Sequence, residues 1–116
     1  MSARFPEHEL ADDALIALSR VNVAQGSGTM AVENLLKVIR LYADRETVDD
    51  AYFNLGKVYE TDTVLRDLAR AREVYRTFTR KADEGEPRFA SSPLLPRVKR
   101  DLEYINRTFF PESPLR

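Results

Sequence analysis

Two acidic pairs, Asp12-Asp13 and Asp49-Asp50, hold the residue types from which acid–base chemistry could be built. Two carboxylates a few ångströms apart can share a proton, one then serving as acid and the other as base. These pairs are sequence neighbours, however, and neighbours on a helix do not face each other. Both precede an apolar helical pattern, so they read as first-turn acids that complement the positive end of the helix dipole, worth about 0.3–1 kcal/mol each. His8 is the only histidine, stands between Glu7 and Glu9, and has no cysteine to join it. That supply supports neither a metal centre nor a histidine-dependent triad. Gly26-Ser27-Gly28 follows a helical pattern rather than a strand, so it is no phosphate-cradling loop. The expectation is a chain that is not an enzyme, with no catalytic residue, no metal and no cofactor.

The elements that would position any other function are helical. Ala14, Leu15, Leu18, Val21 and Asn22 trace one face, and Ala31, Leu35, Val38, Ile39 and Tyr42 a second. Ala51, Tyr52, Leu55, Val58 and Tyr59 repeat the first spacing. Val64, Leu68, Ala71, Val74, Tyr75 and Phe78 make a fourth stripe, and Leu95, Val98, Leu102 and Ile105 a fifth. Nothing alternates with period two for long, so the fold class is all-α. Thr29 is the expected N-cap of the second helix, and Asp62 or Thr63 of the fourth. Gly85 and Pro87 stop the fourth helix, and Ser92-Pro93 opens the fifth. With 116 residues, 43% of them apolar, the chain suits one domain. No apolar run approaches the ~20 residues of a membrane span, and the start shows no signal-peptide pattern.

The sequence also aligns with itself. Phe5 to Leu15 matches Tyr42 to Tyr52 at an offset of 37 residues, pairing Ala14 with Ala51, Leu18 with Leu55 and Val21 with Val58. A weaker third copy, 47 residues further on, sets Val98, Leu102 and Ile105 in those places. One helical hairpin cannot cover its own apolar stripe, so a second must stack on it. Tyr52-x-x-Leu55-Gly56-x-x-Tyr59 followed by Ala71-x-x-x-Tyr75-x-x-Phe78 resembles the tetratricopeptide repeat (TPR). Leu15-x-x-Leu18-Ser19-x-x-Asn22 with Ala31-x-x-x-Leu35-x-x-Val38 is a degenerate copy. The junctions, an aromatic and then Ala-Asp-Asp-Ala or its like, are similar to the bacterial envelope branch of these repeats. That branch includes an outer-membrane assembly lipoprotein and a Tol-Pal accessory protein.

The resemblance implies a right-handed helical-repeat array of about five helices, two hairpins plus a C-terminal capping helix. Repeat 1 spans about 11–42, repeat 2 about 48–82 and the capping helix about 93–109, within a single domain 1–110 followed by a tail, 111–116. It further implies that the first helix of each repeat lines a concave face. That face would carry Asp13, Ile16, Arg20 and Val23, then Asp50, Phe53, Lys57, Glu60 and Thr61, then Arg97, Arg100, Tyr104 and Arg107. Cations mixed with aromatics suit an interaction surface. The terminal-carboxylate clamp of the chaperone-binding repeats is not reproduced, because Ile16, Arg20 and Asp101 stand where its polar and cationic groups belong.

The expected function is a protein–protein interaction adaptor or scaffold, taking another protein or peptide, in cell-envelope or outer-membrane protein assembly. One alternative is self-association through an open N-terminal seam of Phe5, Leu10 and Leu15. Another, less favoured, is RNA binding by the basic fourth helix, where Arg66, Arg70, Arg72, Arg76, Arg80 and Lys81 gather. The resemblance implies a periplasmic or outer-membrane-associated place for a fragment of a longer envelope protein, and a cytoplasmic one for a stand-alone chain.

Overall fold

A computed structural model describes residues 4–44, 46–62 and 66–111, with side chains of the first helix described from Ala11 onward. The described residues form six helices and no strand: α1 (Arg4–Ala24), α2 (Gly28–Leu41), α3 (Val48–Thr61), α4 (Leu68–Asp83), the short α5 (Pro87–Ala90) and α6 (Leu95–Phe109). The all-α expectation holds, with one helix more than expected. Each long helix packs chiefly on its neighbours in sequence: α1 on α2, α2 on α3, α3 on α4 and α4 on α6. The molecule measures 55 × 35 × 19 Å, so its thinnest dimension is about two helix diameters.

Small residues make the close approaches. Ala31, Ala51 and Ala71 have no exposed surface, and Leu35, Val38, Tyr75, Phe78, Val98 and Ile105 fill the space between helices. Gly56 faces Tyr75 so closely that a β-carbon there would stand 2.3 Å from the ring. The α5 turn lies in what the sequence suggests is a loop. It delivers Phe89, whose ring meets Tyr52 and Phe78 edge-on at centroid distances of 5.3 and 5.1 Å. Gly85 takes a left-handed φ of +85° at the end of α4, and Pro87 follows at the start of α5, as their chemistry requires.

Several local expectations need correction. Asp67, not Asp62, caps α4, its carboxylate accepting from the Arg70 N–H at 3.0 Å; Thr63 and Val64 lie outside the described residues. Ser27 rather than Thr29 sits at the α2 cap position, and the Asp62 carboxylate lies against Gly28 at the same helix end. Negative charge there complements the dipole. Leu94, not Ser92, is the residue at the α6 cap position; Ser92, three residues ahead of Leu95, accepts from the Leu94 N–H at 3.0 Å.

The largest departure is α1. The helix runs unbroken from Arg4, so Phe5–Leu10 is helical where the described residues aligned with it, 42–44 and 46–47, are not. Pro6 is tolerated because first-turn N–H groups have no intrahelical acceptor. Asp12 and Asp13 therefore stand in mid-helix, not in a first turn, whereas Asp49 and Asp50 do occupy the first turn of α3. Asp12, Ile16 and Ser19 are buried, and Ala14, Leu18 and Val21 of the expected face are exposed, so the helix is rotated until only the Leu15 and Asn22 edge of that face turns inward. The buried polar groups are satisfied locally: Ser19 donates to the Ile16 carbonyl at 2.6 Å, and the Asn34 amide of α2 donates to Asn22 at 2.8 Å.

Two contacts whose acceptors stand at aligned positions join successive segments. Asp12 accepts from Thr47, which precedes α3. Asp49, 37 residues on, accepts from Ser92 Oγ, which precedes α6, at 2.6 Å. Each carboxylate thus ties its helix to the turn that launches the helix two elements later, α5 aside.

Candidate functional site

Of the residues expected on the interaction face, those of α3 and α6 meet around Phe53. Phe53 is half-buried, with the Arg97 guanidinium 5.2 Å and the Lys57 ammonium 5.8 Å from its ring centroid. Lys57 reaches Glu60 at 3.3 Å, one turn on along α3, and crosses to Asp101 of α6 at 3.1 Å. Glu60 in turn accepts from the buried Tyr75 hydroxyl at 2.9 Å. Burial, then the neighbouring Glu60 carboxylate, pushes that hydroxyl well above the usual tyrosine range. The face is therefore an ordered network in which cations, carboxylates and one aromatic ring hold each other.

Tyr104 stands beyond this network, half-exposed, edge-on to Phe109 at 6.1 Å. With Glu60, Thr61, Arg66, Leu68 and Phe109 it lines a cleft of about 480 Å³ between the ends of α3 and α6. Arg66 lies 5.7 Å from the Phe109 ring centroid. Sequence reasoning missed Arg66 and Phe109 as members of this face, and noted Asp101 only as a misfit to the terminal-carboxylate clamp. Asp101 had a signal, since it follows Arg97 by one helical turn; Arg66 did not, because its turn precedes the observed start of α4.

On α1, Asp13 and Arg20 are exposed and both act on Asp50 through space. Burial raises the Asp50 carboxyl above its ordinary value, Asp49 and Asp13 reinforce the rise, and Arg20 opposes it. Ile16 is a correction: at 3% exposure it belongs to the core, because α1 turns its Asp12–Ile16–Ser19 side inward. Val23 is exposed at the far end of α1, and Arg100 is exposed on α6. Arg107 is exposed near the end of α6, its guanidinium 3.6 Å from Glu103 one turn back. Glu103 lines a different cleft, between α4 and α6, with Arg76, Arg80 and Lys99 among its walls.

The cations of α4 have acidic or aromatic neighbours. Arg70 lies 3.3 Å from Asp67, Arg76 3.7 Å from Glu73, Arg80 3.6 Å from Glu84 and Lys81 3.6 Å from Glu86. Arg72 stacks over the Phe110 ring at 4.3 Å. Among the described residues no helix is long and apolar enough to cross a membrane, and no three His, Asp or Glu side chains gather as a metal site. The His8 side chain lies outside those described.

Compared with protein-family models, curated proteins and solved structures, the chain finds no match.

Proposed function

We propose that this chain is a short helical-repeat adaptor of the TPR kind, binding another protein through the face shared by α3 and α6. The observation that carries this reading is Phe53, a partly exposed aromatic held between two cations of different helices. An aromatic fixed in that way presents area without the entropy loss that a free side chain suffers on binding. Arg100 and the Tyr104 cleft extend the surface, and their chemistry favours an extended or helical peptide bearing carboxylates.

The repeat reading is supported by the sequential packing, by the buried alanines and by the paired contacts of Asp12 with Thr47 and Asp49 with Ser92. Ion pairing along α4 favours a protein partner over RNA, because cations already matched to carboxylates release few counterions from a phosphate backbone. The Tyr42–Ala51 junction keeps its resemblance to the envelope branch, which supports scaffolding in envelope or outer-membrane assembly.

The test is a pull-down from source cells with three baits: wild type, Phe53→Ala combined with Arg97→Glu, and Arg80→Glu on the opposite cleft. A protein retained by the first and third and lost by the second supports the assignment. Equal retention by all three would sink it.

A further inference from the structure

We propose that the bare stripe of α1 is a self-association surface, on which a second copy of this chain lays its own α1 antiparallel. Ala14, Ala17, Leu18 and Val21 recur at helical spacing and are exposed, Leu18 at 45% and Val21 at 48%. The aligned Ala51, Leu55 and Val58 of α3 are buried, as are Val98 and Ile105 of α6. α3 packs on the preceding α2, and α6 on the preceding α4. Among the described residues of these three helices, only those of α1 show the stripe to water, and covering it recovers roughly 25 cal/mol for each Å² of apolar surface. Ala14 and Ala17 leave room for a second helix axis to come close. The face is not the one the sequence suggests, for Leu15 is half-buried against the core, and the Phe5 and Leu10 side chains are outside those described.

Charge selects the occupant. Asp13 and Arg20 are two helical turns apart and flank the stripe on the same side. Turning a second α1 over about a two-fold axis near Ala17 sets Asp13 against the partner's Arg20 and Arg20 against the partner's Asp13. A parallel pairing brings neither ion pair together. One helix-on-helix contact is smaller than a standard interface, so the dimer is of the weak, micromolar kind. This inference is independent of the adaptor reading, because its readout is mass and not partner capture.

Sedimentation equilibrium from micromolar to millimolar protein tests it. The average mass rises from 13.3 kDa toward twice that value. Leu18→Glu abolishes the rise, Asp13→Arg weakens association at least about tenfold, or 1.4 kcal/mol, and Asp13→Arg with Arg20→Asp restores it. Circular dichroism checks each variant's helicity, and should Leu18→Glu unfold, the exposed-site charge variants decide. A mass fixed at 13.3 kDa throughout overturns the proposal and leaves the stripe to a helix of another protein. A dimer indifferent to Leu18→Glu, or a charge swap that fails to restore association, overturns it equally.

Discussion

Gly56→Ala adds one methyl group where α3 and α4 touch most closely. Its β-carbon would stand 2.3 Å from Tyr75 Cε1, 2.8 Å from Cζ and 2.9 Å from Cδ1. Ordinary carbon contacts are near 3.5–4.0 Å, so the ring or the helix must move by about 1 Å or more. The ring has little freedom to do so. Tyr75 has no exposed surface, and its hydroxyl is anchored on Glu60. Overpacking of this kind costs about 1–3 kcal/mol. Against it stands the helix preference of alanine over glycine, about 1 kcal/mol. With the clash at the severe end, the net expectation is a loss of about 2 kcal/mol.

Denaturant melts of the single variants and the pair measure this. Gly56→Ala should lower the midpoint without changing the slope, and Tyr75→Leu alone should destabilise by leaving a cavity. Combined, the two should cost less than their sum, since the smaller side chain admits the methyl group. If Gly56→Ala is neutral or stabilising, the propensity gain is unopposed, and the α3–α4 packing described above is wrong.

Tyr75→Phe removes the hydroxyl that burial and Glu60 hold protonated. A raised folded-state value confers stability that is complete below the unfolded tyrosine value of about 10 and lost as pH climbs beyond it. The variant should lose about 1 kcal/mol at neutral pH and show a shallower alkaline decline than wild type in melts at rising pH. Asp50 is also raised, so its contribution is complete in acid below 3.8 and fades as pH rises through the folded value. Asp50→Asn should therefore be the more stable protein at neutral pH, with the advantage vanishing in acid; an advantage constant across pH refutes the assignment. Asp49→Ala should cost about 1–3 kcal/mol through loss of the Ser92 bond, and the Asp49→Ala/Ser92→Ala pair should cost little more than the larger single change in a double-mutant cycle.

Helix content and most of the core were legible from periodicity. Ala31, Ala51, Ala71, Tyr75 and Phe78 fall where their spacing puts them. Glycine and proline punctuation at Gly85 and Pro87 was also legible, because it reflects backbone geometry that no tertiary contact overrides. Failure concentrated in α1, for a definite reason. A period of 3.6 locates an apolar stripe but does not say whether anything covers it. The alignment transferred the burial of Ala51, Leu55 and Val58 onto Ala14, Leu18 and Val21, yet the first three are buried in a helix packed on both α2 and α4 and the last three are exposed. Once that stripe is outside, Asp12, Ile16 and Ser19 must be inside, and Ile16 leaves the binding face with them. At the site, residue types at α3 and α6 positions were readable, but partners were not. Nothing in the sequence pairs Lys57 with Asp101, since that contact depends on how α6 is set against α3.

The two aspartate contacts and the bare stripe follow from one arrangement. Under the repeat reading, each repeat-opening helix has two relations, an apolar stripe covered by the helix before it and an aspartate tied to the turn ahead of the next opening helix. α3 has both, with its stripe buried, α2 packed on it, and Asp49 on Ser92. α1 has the second alone, through Asp12 and Thr47, and its stripe is open. α6 has the first alone, since Val98 and Ile105 are buried, and Pro96 stands at the position aligned with Asp12 and Asp49. Proline offers no carboxylate to receive a hydroxyl, so the series of ties stops there. The two outer helices are thus chemically unlike, α6 carrying Pro96 where α1 and α3 carry an aspartate, and α1 exposing Leu18 and Val21. Association is accordingly expected to be like with like at α1 and not head to tail. A closed two-fold contact consumes the exposed stripe of both copies and stops at the dimer, whereas a head-to-tail contact would leave one stripe open and keep adding chains.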